Sequence, residues 1–135
     1  MTFLTPYAPR LLSVMRIMSG LLLLQHGTTK VLDFPASSMS AVPLTTPGGI
    51  AGIIELVFGI LLTVGLFSRF SAFILSGLTA VAYFMVHAPQ GFFPLLNGGE
   101  LAALYCFVFL YLAAAGPGPW ALDATLNARK TAKSA

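Results

Sequence analysis

Apolar residues fall into four long blocks, separated by short polar or proline- and glycine-rich stretches. The blocks run from about Pro9 to Gly27, Pro47 to Phe67, Arg69 to His87 and Asn97 to Ala115. Each approaches the roughly 20 mostly apolar residues that a membrane-spanning helix needs. Thr46 is placed to cap the second helix, with Pro47 at its first position. Ser68-Arg69 makes a tight turn, with Ser68 placed to cap the third helix. A turn this short forces helices two and three into an antiparallel hairpin. Gly116-Pro117-Gly118-Pro119 stops the last helix. Val31–Pro47 reads as a loop on the membrane surface or in the bundle mouth, because its Asp, Ser and Pro residues alternate with Phe34, Met39, Val42 and Leu44. Ala88–Leu96 is a second loop with an apolar tip, Trp120 suits the interfacial belt, and residues 120–135 form a short polar tail. The prediction is an all-α integral membrane bundle of four transmembrane helices, up-down-up-down, in one domain over 1–135. The roughly 10-residue alternating segments of a membrane β-barrel are missing.

Composition supports lipid as the solvent. The chain is 57% hydrophobic and 8% charged, with a mean hydropathy of +0.88, whereas soluble domains carry about 25% charged residues. The net charge of +3 comes from basic residues too few and too scattered for a nucleic-acid track. Their placement orients the helices. Arg10, Arg69, Arg129, Lys130 and Lys133 fall on the side of both termini, and only Lys30 on the other. The excess predicts both termini in the cytoplasm, with the Val31–Pro47 and Ala88–Leu96 loops outside, in the periplasm of a Gram-negative host. The single Cys106 allows no internal disulfide and reads as an inert core residue. Arg16 interrupts the first apolar block and no A-x-A site follows, so that block is expected to be retained as a helix.

Ionisable groups at bilayer depth are costly and each needs a reason. Arg16 lies near the middle of the first helix. Glu55 lies roughly 12 Å into the second. An Arg16–Glu55 pair is the expected arrangement, either as a clamp fixing helix pairing or as the polar floor of a ligand pocket. Nearer the outer surface, His26, Lys30, His87, Asn97 and Glu100 are expected to converge. Each has a plainer role. Asn97 and Glu100 match a capping box, His87 suits a helix C-terminus, and Lys30 suits snorkelling. His26 reads as a quinone hydrogen-bond donor, a metal ligand or a satisfied helix-end residue. No spacing motif joins the histidines and carboxylates into a metal site, so no metal is assigned. No catalytic triad, phosphate loop or dinucleotide fingerprint occurs.

The order of polar motifs resembles the DoxX-like family of small membrane proteins. It comprises Arg16-x3-Gly20 leading to His26-Gly27-x2-Lys30; Gly52-x2-Glu55-x3-Gly59; Gly65-Leu66-Phe67-Ser68-Arg69; Asn97-Gly98-Gly99-Glu100; and Gly116-Pro117-Gly118 with Leu122-Asp123. The resemblance covers about Leu11 to Asp123. It implies a four-helix inner-membrane bundle linked to redox work, such as a quinone oxidoreductase subunit or an oxidative-stress complex. It points to Arg16, His26, Lys30, Glu55 and Glu100.

Three functions follow as expectations. One is a subunit of a quinone-linked redox system, with no intrinsic cofactor, a bound quinone or lipid, and electrons supplied by a partner. Another is a non-catalytic interaction subunit of a larger membrane complex or a homo-oligomer. The third is a binder or carrier of a small lipophilic molecule, which a bundle without a cavity near Glu55 would remove. Whether the chain is itself an enzyme stays open at this point.

Overall fold

The computed structural model describes residues 2–133, and among them it is all-helical. The main helices are α1 (Ala8–Leu32), α2 (Pro47–Val64), α3 (Ser68–Ala82), α4 (Pro94–Asn97), α5 (Glu100–Ala115) and α6 (Leu122–Lys133). A wider π-turn, Tyr83–His87, and a 3-10 turn, Ala88–Gln90, prolong α3. Three stretches are long and apolar enough to cross a membrane: Thr5–Leu32, Pro47–Val64 and Ser68–Gln90. The apolar α5 is shorter, at 16 residues.

Three predicted boundaries change. Gln25–Lys30 was expected as a polar exit but stays helical, so α1 runs one turn and more beyond Gly27. Asp33 ends it in a left-handed conformation (φ 54°). Residues 122–133, expected as a tail, form a helix. Residues 94–97 form a separate short helix, and α5 begins only at Glu100. Thr46 does cap α2, its hydroxyl accepting from the Gly49 amide at 3.2 Å.

Packing divides the helices into two pairs, α1 with α2 and α3 with α5, joined where α2 turns into α3. Leu23, Leu62, Ala72, Leu75, Tyr105, Phe109 and Leu112 are buried together where the pairs meet. Long apolar side chains such as Val57, Phe73, Phe84, Leu104 and Phe107 point outward. That arrangement suits a hydrocarbon solvent and not water.

Glycines set the α1–α2 register. A Cβ added at Gly20 would lie 2.6 Å from Thr63 Oγ1, one at Gly27 would lie 2.8 Å from Leu56 Cα, and one at Gly52 would lie 2.8 Å from Lys30 Cβ. The backbones therefore approach as closely as small residues permit. These contacts place Gly27 beside Glu55 and Leu56 and move Arg16 to the far end of α2.

Candidate functional site

The register excludes the expected Arg16–Glu55 pair. Arg16 and the residues of α1 that face Glu55 are about twelve positions apart, or about 18 Å along the axis. Arg16 is fully buried. Its guanidinium donates to backbone carbonyls: Leu62 at 2.5 Å, Thr63 at 2.6 Å, Pro117 at 2.9 Å, and Trp120. Leu62 and Thr63 lie in the last turn of α2, where carbonyls are short of intrahelical partners and the helix dipole is negative, although the Leu62 carbonyl also accepts from the Gly65 amide at 3.2 Å. A planar guanidinium can serve several such acceptors at once. Arg16 thus ties the end of α2 to the segment that follows α5. Ser13 adds to the tie by accepting from the Trp120 amide at 3.1 Å.

Two further polar groups close the same end. Arg69 donates to the carbonyls of Ala113 (2.9 Å), Ala114 and Ala115 (3.4 Å), which end α5. Asp123 accepts from the amides of Phe67 at 2.9 Å and Ser68 at 2.8 Å. The expected cap of α3 by Ser68 is therefore replaced by a carboxylate from α6. Phe67 occupies the cap position in a left-handed conformation and supplies no side-chain bond. Sequence reasoning missed Asp123 as a cap because it lies 55 residues from the amide it serves.

Burial alone would raise the Asp123 carboxyl. The amides of Ser68 and Phe67 and the charge of Arg16 outweigh that and hold it below the usual carboxylate value. A depressed folded-state value means that the unfolded chain binds more protons as pH falls. The stabilisation from Asp123 is complete above the ordinary carboxylate range and is lost as pH falls through the lowered value. Asp123→Ala should cost about 0.5–2 kcal/mol at neutral pH, the range for losing a helix cap. It should also flatten the acid limb of thermal stability, measured by melting scans at stepped pH in detergent.

The other end holds the ion pair. Lys30 Nζ donates to both oxygens of Glu55, at 2.8 Å each, and the two side chains are 14% and 9% exposed. The extension of α1 beyond Gly27 brings Lys30 to Glu55, in place of snorkelling to the interface. Gly52 makes room for the lysine stem.

His26 stands one turn before Lys30, half-buried, with no hydrogen bond among the described residues. It lines a cavity of about 140 Å³ with Gln25, Thr29, Pro35, Ser37 and Met39. Glu55 is not among the lining residues. The pocket is open, and the loop that forms one of its walls is fastened to α1. The Thr29 hydroxyl donates to the Pro35 carbonyl and meets Ser37 Oγ at 3.1 Å, and Asp33 accepts from the Ala41 amide at 2.6 Å.

His87, Asn97 and Glu100 do not join that group. His87 Nδ1 lies 3.0 Å from the Asn97 carbonyl, which can only accept, so Nδ1 carries the proton. Tyr83 stacks on the His87 ring, with centroids 6.3 Å apart. Asn97 is buried; it donates to the Gly91 carbonyl at 2.8 Å and accepts from the Gly99 amide at 2.8 Å. It therefore shapes the α4–α5 turn and does not form the expected capping box with Glu100. Gly99 occupies the cap position, and Glu100 is exposed. Among the described residues no hydrogen bond or ion pair links His26, Lys30 or Glu55 to His87, Asn97 or Glu100. Of the expected cluster, the contacts formed are Lys30 with Glu55 and His87 with Asn97. No group of histidine, cysteine and carboxylate side chains among the described residues could hold a metal ion.

The model of the DoxX family matches residues 11–88. An uncharacterized protein of Haemophilus influenzae is 45% identical over 134 residues, covering 91% of this chain and 96% of its own length. A second uncharacterized protein of the same organism is 37% identical over 73 residues, covering 54% of this chain and 48% of its own. No solved structure matches the chain. The arginine anchors and the Lys30–Glu55 pair both fall within the matched stretch, and the chain belongs to the DoxX family.

Proposed function

We propose that this membrane protein is a four-span subunit of a bacterial inner-membrane redox system, and that a lipophilic quinone rests against His26. The observation that carries the reading is the contrast among the polar residues. Arg16, Lys30, Glu55, His87 and Asn97 all have partners within the chain, whereas His26 is half-buried, unpartnered and faces a cavity.

Depth fits a quinone ring. His26 stands 18 positions beyond Ala8, or about 27 Å along α1, close to the far edge of a hydrocarbon core about 30 Å thick. A quinone tail can remain in lipid while its ring meets the cavity. The imidazole donates an N–H to a quinone carbonyl. On reduction the quinone takes two electrons from a partner oxidoreductase and two protons, with His26 relaying protons from the outer aqueous side. Lys30 and Glu55 hold the end of α1 against α2 and keep that geometry fixed.

Four spans and cytoplasmic termini belong to the same reading. α5 reaches only about 24 Å, and the exposed Phe92, Phe93, Leu95 and Leu96 before it extend the apolar stretch. The outer side's one basic residue, Lys30, is held by Glu55, while Arg10, Arg69 and Arg129 lie towards the other side.

Extraction of the purified protein with organic solvent tests the reading. Quinone should accompany the unaltered protein and fall by about tenfold in His26→Leu, the loss of one hydrogen bond worth about 1.4 kcal/mol. A protein that never carries quinone, or a leucine variant that keeps all of it, would sink the proposal. The exposed stripe Leu101, Leu104, Phe107 and Tyr111 on α5 also suits docking on a larger membrane complex, as the interaction-subunit reading requires. Co-purification of a partner with the unaltered protein, lost when this stripe is changed, supports that role.

A further inference from the structure

α6 is turned the opposite way from a helix on a water-soluble protein. Its inward side carries Asp123, half-buried on the start of α3, with Ala124 beside it. An open cleft of about 520 Å³ separates that side from Phe67, Arg69 and Phe70. Its outward side carries Leu122 and Leu126, 48% and 44% exposed. At 100° per residue these two leucines share one stripe with Arg129, which is exposed. The sequence from that point is basic, with Lys130 and Lys133 following Arg129. The stripe begins two residues after Trp120, which is itself 55% exposed.

Order along the helix and charge identify the occupant. Leucines next to an interfacial tryptophan suit the acyl boundary, and a basic run beyond them suits phosphate. Asp123, the one acidic residue of α6, is withdrawn from this face by its bonds to the α3 amides. We infer that α6 lies in the plane of the adjacent leaflet and binds its anionic phospholipid head groups through this basic stripe. Arg69 and the α3 start then form the wall of the cleft behind it. The inference needs the membrane placement of the chain and is independent of any quinone.

A single fluorophore at Leu126→Cys, in a Cys106→Ser background, reads the contact. The full chain is reconstituted in vesicles of phosphatidylcholine, alone or mixed with phosphatidylglycerol. In the mixed vesicles, lipid-borne quencher should reach position 126, while a label at Ala128→Cys, on the opposite side, should stay open to aqueous quencher. The ratio of membrane-docked to free α6 should fall about fivefold for each basic residue replaced in R129Q, R129Q/K130Q and R129Q/K130Q/K133Q. It should also fall with added salt. Equal docking in pure phosphatidylcholine would overturn the electrostatic assignment. Aqueous exposure of position 126 in both vesicles would overturn the docking itself. Protection of 126 from both quenchers would assign the stripe to a protein neighbour and equally overturn it.

Discussion

Arg16→Leu should prevent stable accumulation of the protein in the membrane, with a loss of about 3–5 kcal/mol, the range for breaking a buried charged network. The cause is not the lost charge alone. Four carbonyls, from Leu62, Thr63, Pro117 and Trp120, lose this donor; the Leu62 carbonyl keeps the Gly65 amide, and carbonyls left unsatisfied are costly where water is scarce. Arg16→Lys should recover only part of the loss, because an ammonium is a point donor and cannot replace the guanidinium fork. Membrane yield and melting temperature in mild detergent give the ranking: arginine first, lysine well below, leucine last. Equal stability of the leucine variant would show that the end of α2 is held by other contacts.

Lys30 and Glu55 should behave differently, since each is the other's partner. Lys30→Met leaves a carboxylate unpaired in an apolar setting, and Glu55→Gln leaves an unpaired ammonium. Each single change should cost about 3–5 kcal/mol. The double variant Lys30→Met/Glu55→Gln should be milder than either, because replacing a whole buried pair is often neutral or stabilising. A double-mutant cycle on thermal or denaturant unfolding measures the coupling. Additive losses would mean that the two residues do not act as a pair. Recovery of stability in the double variant with quinone retained would confine the pair to structural support.

The same two residues show how far the sequence can be read. Helix-forming blocks were legible because apolar runs and proline-glycine stops are local signals. Thr46 as a cap was legible for the same reason. The partner of Glu55 was not, because it depends on where α1 ends and on the register between α1 and α2. The polar run Gln25–Lys30 signals an exit from the membrane, yet the helix continues through it to Leu32. Gly20, Gly27, Gly52 and Gly59 carried the register information, but only as small residues at helical spacing. Which glycine meets which residue is a tertiary fact.

The other end shows a similar limit. Asp123 looked like the start of a polar tail, and Asn97 with Glu100 looked like a local capping box. The structure gives the cap of α3 to Asp123, from far along the chain, and uses Asn97 to close a turn. Capping patterns find partners within a few residues and miss those supplied by another helix. His26 was the most ambiguous residue in the sequence. It is distinct in the structure because the surrounding polar residues have partners and it lines an open pocket walled by the loop Asp33–Ala41.

The chain has two histidines, so contact between quinone and His26 can be measured directly. In protein labelled with nitrogen-15 at histidine, a short-tailed benzoquinone can be titrated while both imidazole rings are followed by NMR, with His26→Leu giving the assignment. The His26 ring signals should shift and saturate, while those of His87, tied to the Asn97 carbonyl, should stay in place. Signals of both rings unmoved at every quinone concentration, or movement of His87 alone, would contradict that contact.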